Sequence, residues 1–133
     1  RARANNAVKF ALICLLCSLM FSAPAYSKKG CPDGLWKEYH SVLWDGPDRW
    51  YGQWTRVGCS NTWNVVWKNP VKRLTNSYQI TMVRNGNTVT ITSPYCRYVG
   101  NYSAYSERIT GKHRCGSRGG TFTMNPGPGL IKR

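Results

Sequence analysis

The sequence predicts an all-β fold: a small antiparallel meander barrel or curled sheet of about seven strands, with a short N-terminal helical segment and two disulfides. Three observations carry this. Short runs rich in aromatic and β-branched residues recur at even spacing from residue 49 to residue 125, which is the signature of a sandwich or a barrel. Asn85-Gly86-Asn87 separates two such runs and supplies the positive φ that a tight hairpin needs. Four cysteines follow an apolar leader, and an even cysteine count in an exported chain reads as a disulfide framework.

The leader sets the compartment. Arg1, Arg3 and Lys9 precede an apolar run from Phe10 to Phe21 broken by Ser18, and Ala23-Pro24-Ala25 follows. A positive start, a short apolar middle and a small-residue exit describe a secretory signal peptide over residues 1–25. The run has 12 residues, short of the about 20 that a spanning helix needs. The competing reading, a buried core helix, explains neither the basic flank nor the exit. Ile13 and Leu16 precede Cys14 and Cys17; neither is the small residue that a lipid-anchored cysteine requires. The expected location is periplasmic or extracellular.

Cleavage after Ala25 leaves 108 residues (133 less 25) with Cys31, Cys59, Cys96 and Cys115. That is one domain. Its modest core gains from staples of about 2–4 kcal/mol each. Three pairings are open. The four cysteines include no Cys-x-x-Cys pair, so a zinc site is disfavoured, and no metal or cofactor is expected. With 16 Lys and Arg against five acids, this part carries a net charge of +11. Such a field selects an anionic polymer: nucleic acid, an acidic glycan or a charged envelope component. Solubility alone is the bland alternative.

Along the chain, residues 26–48 form an N-terminal extension. Leu35, Trp36, Tyr39, Val42 and Leu43 fall on a helical stripe, so Leu35–Trp44 is expected as a short helix behind an Asp33 cap. Residues 49–125 form the β domain. Strands are expected at 50–57, 62–67, 78–84, 88–92, 95–99, 102–109, 112–115 and 121–124, with Gly100-Asn101 and Thr110-Gly111 as turns and 116–120 as a loop. Residues 126–133, rich in Pro and Gly, are expected to be a flexible basic tail.

Within the first expected strand, Gly52-Gln53-Trp54 resembles the Gly-x-Trp of the calycins, the superfamily of lipocalins and avidins. The resemblance covers three residues and a general strand layout. It implies a barrel rather than a sandwich, with Trp54 closing one end, Arg114 or Arg118 packed over it, and a pocket for a small apolar ligand.

Six Trp lie between positions 36 and 67. Trp54, Trp63 and Trp67 are expected in the core, where Trp buries the largest apolar area. Trp36, Trp44 and Trp50, beside Lys37, Arg49 and Arg56, are candidates for a surface site: rings stack on a base or a sugar and cations grip a charged backbone. Tyr95, Arg97, Tyr98, Tyr102 and Tyr105 form a second mixture of rings and charge, with an ordinary polar sheet face as the alternative. Metal-free ribonuclease chemistry needs an acid–base pair beside a phosphate-holding cation. The available parts are His40 or Glu107 as base, His113 as acid and Arg108 or Arg114 as holder, but no ribonuclease motif frames them. Asp45 and Asp48 flank Gly46-Pro47 as turn formers rather than as a glycosidase pair. No elbow motif supports a Ser or Cys nucleophile. Gly116-Ser117-Arg118-Gly119-Gly120 has the composition of an anion nest, and Asn101-Tyr102-Ser103 matches a glycosylation acceptor.

Four functions follow in order: a non-catalytic exported module that binds an anionic polymer through Trp36, Trp44, Trp50, Arg49, Arg56, Arg97, Tyr98 and Tyr102; a calycin-like carrier; a ribonuclease-like hydrolase; and an inhibitor or toxin of a secreted protein.

Overall fold

The computed structural model describes residues 30–129; the expected signal peptide and the end of the basic tail lie outside them. Eight strands follow one another: β1 (Glu38–Asp45), β2 (Asp48–Arg56), β3 (Thr62–Asn69), β4 (Leu74–Asn85), β5 (Thr88–Thr92), β6 (Cys96–Tyr102), β7 (Ile109–Cys115) and β8 (Arg118–Pro126). Each pairs antiparallel with its neighbour in sequence, and β8 pairs with β1 to close the barrel. Alternation does the sorting. Tyr39, Ser41 and Leu43 of β1, Trp54 of β2, Trp63, Val65 and Trp67 of β3, and Phe122 and Met124 of β8 point inward and are buried. The interior is therefore filled by side chains. Trp54 packs edge-on against Trp67 at 5.5 Å and Tyr98 against Phe122 at 5.6 Å. The three tryptophans expected in the core are there.

Four expectations are corrected. The helix over Leu35–Trp44 is instead an extended arm and β1. Leu35, Tyr39 and Leu43 keep period two once Ser41 counts as an inward residue, while Trp36 and Val42 of the stripe fall on the other parity. Ser41 is buried because its Oγ accepts a 2.8 Å hydrogen bond from the Trp54 indole, a partner remote in sequence and invisible to a local pattern. The strand expected over 102–109 is a loop after Tyr102, where Glu107 holds a left-handed φ of 59°. The glycines expected in turns at 100 and 111, and in a loop at 119–120, lie inside strands. They serve close approach: a Cβ on Gly111 would sit 2.0 Å from the Val99 carbonyl oxygen, and one on Gly120 1.7 Å from that of Trp44. The second contact lies where β8 meets β1. The strand count is eight rather than about seven.

Of the three possible cysteine pairings, the protein has Cys31–Cys59 and Cys96–Cys115. The first ties the extension to the β2–β3 turn, and the second joins facing residues of β6 and β7. The extension caps one barrel end. Leu35 is fully buried, the Tyr102 hydroxyl donates to the Gly34 carbonyl at 3.2 Å, and Arg84 donates to the Asp33 carbonyl at 2.9 Å. The Arg56 guanidinium, its side chain 1% exposed, holds both Asp33 carboxylate oxygens at 2.9 and 2.6 Å and lies 5.3 Å over the Trp63 ring. Burial by itself would raise the Asp33 carboxyl. The hydrogen bonds from Arg56 and the Leu35 N–H outweigh it and hold the group below its ordinary 3.8.

Removing one partner of a buried pair strands the other charge. Asp33→Ala is therefore expected to lower the unfolding free energy by about 3 kcal/mol, read from urea midpoints. A loss near zero would show that this pair does not hold the cap.

Candidate anion-binding face

The outward residues of β6, β7, β8, β1 and β2 form one continuous surface. Val99 faces Lys112 across β6–β7, and Lys112 faces Thr121 across β7–β8. The β1–β8 ladder ends at Leu43 opposite Phe122, which sets Trp44 beside Thr121, and Trp44 faces Arg49 across β1–β2. Four interstrand steps separate Val99 from Arg49, roughly 19 Å at about 4.8 Å per step. In the adjoining row Arg97 faces Arg114, and Arg114 faces Gly119. Because Gly119 brings no side chain, the face is hollowed there into an open cleft of about 640 Å³, with Val99 and Thr121 among its lining residues and Arg97, Lys112 and Arg114 supplying charge.

The charges on this face are not compensated. Among the described residues, twelve Lys and Arg stand against five acids, a net +7. Three of those acids are engaged elsewhere: Asp33 with Arg56, Asp48 with Lys72 at 2.6 Å and Asp45 with Arg118 at 4.0 Å. Among the described residues no ion pair reaches Arg97, Lys112 or Arg114. Facing residues of an antiparallel ladder lie about 4.5–5.5 Å apart, and like charges in that position destabilise the pair.

Trp44 forms the aromatic end of the face. It is 41% exposed, and the Arg49 guanidinium lies 3.7 Å from its ring centroid. Arg49 also reaches the Tyr51 hydroxyl at 3.4 Å. These residues border a second hollow of about 360 Å³ beside Pro70 and Val71.

Of the expected binding residues, Trp44, Arg49 and Arg97 lie on this face. Trp50 is half-buried against the core. Trp36 sits at the capped end, its indole donating to Glu107 Oε2 at 2.6 Å. Three surface expectations are corrected: Arg56 is buried against Asp33, and Tyr98 and Tyr102 are 5% exposed inside the barrel because each falls on the inward register of β6. Lys112 and Thr121 were missed as members of a face. Their signal was the alternation Thr110, Lys112, Arg114, hidden by treating Thr110-Gly111 as a turn.

The ribonuclease constellation is not assembled. His113 lies four residues into β7 beyond Ile109, about 13 Å along the strand, whereas Glu107 precedes Ile109 at the capped end with Trp36. His40 Nδ1 is 2.9 Å from the Gly127 carbonyl oxygen, also near the capped end. Arg114 faces outward, and Arg118 reaches towards Asp45. Trp54 is packed by Trp67 and Tyr98, rather than under either arginine as the calycin resemblance implied.

Beneath the cleft, the His113 side chain is fully buried and stacks on Tyr98 at 5.7 Å. Neither ring nitrogen has a hydrogen-bond partner, and Nε2 stands 3.9 Å from Asp45 Oδ1, which is also unpartnered. Burial pushes the imidazole below its ordinary 6.5, against the opposing pull of the Asp45 charge. Burial likewise pushes the Tyr98 phenol up to about 12. His113 is thus neutral in the folded protein at neutral pH. Its contribution to stability is complete above the unfolded value of 6.5 and is lost as pH falls through the lower folded value.

Replacing unpaired buried nitrogens by an apolar ring removes a desolvation cost. His113→Phe is expected to match or exceed the wild-type melting temperature at pH 7.5, and to lose less of it on acidification to pH 5.0. Equal acid losses in the two proteins would show that another group governs this range.

Comparison of the chain with protein families, with curated protein sequences and with solved structures gives no match.

Proposed function

We propose that this protein is an exported, non-catalytic binding module for an anionic polymer, held across the outer face of β6, β7, β8, β1 and β2. The observation that carries this reading is the facing pair Arg97–Arg114 with Lys112 beside it and no acid among the described residues to neutralise them. A pair of like charges costs stability in the free protein, and a sulfate or phosphate set between the two guanidinium groups removes that cost, since planar guanidinium forks match such anions. Trp44, with Arg49 on its ring, supplies a stacking surface at the other end of the row. Export is supported by the two disulfides and by the basic, apolar and small-residue order of the leader.

The calycin resemblance is kept within the same reading. The eight-strand meander order supports it. The filled interior, with Trp54, Trp63, Met82, Ile91 and Met124 each at most 1% exposed, favours use of the outer surface over carriage of a ligand inside.

Dextran sulfate and a single-stranded oligonucleotide are suitable probes. Wild type is expected to bind at low salt with log K falling linearly in log salt. The double variant Arg97→Ala with Arg114→Ala is expected to bind more weakly, its slope smaller by about 1.5. Trp44→Ala is expected to weaken oligonucleotide binding by about 1–3 kcal/mol while leaving the slope in place. Wild-type binding that ignores salt, or a double variant that binds as wild type does, would overturn the reading.

A further inference from the structure

Asp45 is shared between two cations. Its Oδ1 faces His113 Nε2 at 3.9 Å, and its Oδ2 lies 4.0 Å from Arg118 NH1. The three residues come from different strands at the uncapped end: Asp45 closes β1, His113 is near the end of β7, and Arg118 opens β8. Their exposures differ in a useful way. The His113 side chain is at 0%, that of Asp45 at 14% and that of Arg118 at 65%. The imidazole is held in place by the core, the carboxylate sits at the water boundary, and the guanidinium lies mostly in water. Flanking His113 in sequence are Lys112 and Arg114, the cations of the binding face, and His113 itself lines the underside of the cleft.

We propose that His113, Asp45 and Arg118 form a proton-operated switch that strengthens anion binding on this face as the surroundings become acidic, an inference that rests on the polymer-binding reading above. At neutral pH the imidazole carries no charge, and the Asp45 carboxylate attracts Arg118, holding it at the barrel end. On acidification a proton from solvent enters at Nε2. The imidazolium and the carboxylate then face each other in a place with little water, where their attraction is strongest. Asp45 turns its charge to His113, and Arg118 is released. The binding face gains a mobile guanidinium at the turn next to Arg114, together with a fixed positive charge beneath the cleft.

The groups around the imidazole leave this as the dominant response. From β6 it meets Tyr98, from β8 the uncharged Gly120, and from β1 Asp45, which Arg118 of β8 approaches on its other oxygen; its own strand contributes Lys112 and Arg114, both directed outward. Tyr98 is influenced in turn by Tyr78 of β4, and a phenol does not ionise in this range. Asp45 is the one acid in the group. The unpaired nitrogens of His113 and the unpaired Oδ1 of Asp45 are the stability cost of holding the switch open. The other histidine, His40, is engaged with the Gly127 carbonyl towards the capped end.

The test uses dextran sulfate, whose charge is constant between pH 7.5 and 5.0, at one fixed ionic strength. Wild type is expected to bind more tightly at pH 5.0, by up to about fivefold, the full effect of one added cation near a polymer charge in water. His113→Phe is expected to lose this gain. Arg118→Gln alters an exposed side chain, so it guards against misfolding as an explanation, and it is expected to lose most of the gain. Asp45→Asn is expected to bind more tightly than wild type already at pH 7.5. His40→Gln is expected to keep the full response. Salt-sensitive wild-type binding that is equal at the two pH values would overturn the switch and leave the binding face standing. A gain that persists in both His113→Phe and Arg118→Gln would do the same. Absence of wild-type binding at either pH would remove the binding reading and the switch together.

Discussion

The pairing of β1 with β8, from Tyr39 opposite Pro126 to Leu43 opposite Phe122, turns a meander into a barrel. Gly120 makes that seam possible, because any side chain there would occupy the place of the Trp44 carbonyl. Closure has two effects. It leaves no strand edge with unpaired backbone groups, which a sheet of this size would otherwise expose. It also joins surfaces that the sequence keeps far apart. Trp44 and Arg49 come from the start of the domain, and Lys112 and Arg114 from near its end, yet they become neighbours around the barrel wall. The proposed face exists only because the first and last strands meet.

The two barrel ends are built on opposite principles. At the capped end, the acid and the base are matched closely: Asp33 receives two hydrogen bonds from Arg56 and one from the Leu35 N–H, and Cys31–Cys59 anchors the covering segment. Of the unpartnered buried side-chain atoms among the described residues, Trp63 Nε1 alone lies at this end, beneath the Arg56 guanidinium. At the other end, Asp45 and His113 stand just beyond hydrogen-bond reach, with three orphaned atoms between them. Polar groups without partners are rare in native interiors and call for an explanation. In this protein they lie under the surface that carries the unneutralised arginines, so the less stable end and the charged face coincide.

Much of the fold was legible in the sequence, for reasons that can be traced to particular residues. Asn85-Gly86 marked its hairpin because tight turns demand a φ that few residues accept. Trp54, Trp63 and Trp67 marked the core because alternation placed them inward beside Val65. The reading failed where a residue's role is set across the barrel. Ser41 looks solvent-facing until the Trp54 indole is placed next to it. Gly100 and Gly111 look like turns, and Gly120 like part of a loop, until the crossing strands are known. Of the candidate face, Trp44, Arg49 and Arg97 were recognisable as ring and charge. The opposition of Arg97 and Arg114 was not, since it depends on the register of two strands separated by a loop whose ends the sequence does not mark. Arg56 was misplaced for a related reason: nothing near it in sequence announces that Asp33 will be brought within 3 Å.

A barrel sealed between its first and last strands has a consequence for how the chain comes to be folded. Six ladders in this protein join strands adjacent in sequence from β2 to β8, and a seventh joins β1 to β2; all of these can form as the chain emerges. The eighth spans nearly the whole domain, so β1 keeps one side unpaired until residues near Pro126 are available. Contacts of such long sequence separation form late, because the loop they close is entropically expensive. During synthesis the partly built sheet therefore exposes Tyr39 and Leu43 together with a free edge, the combination that invites pairing with another chain.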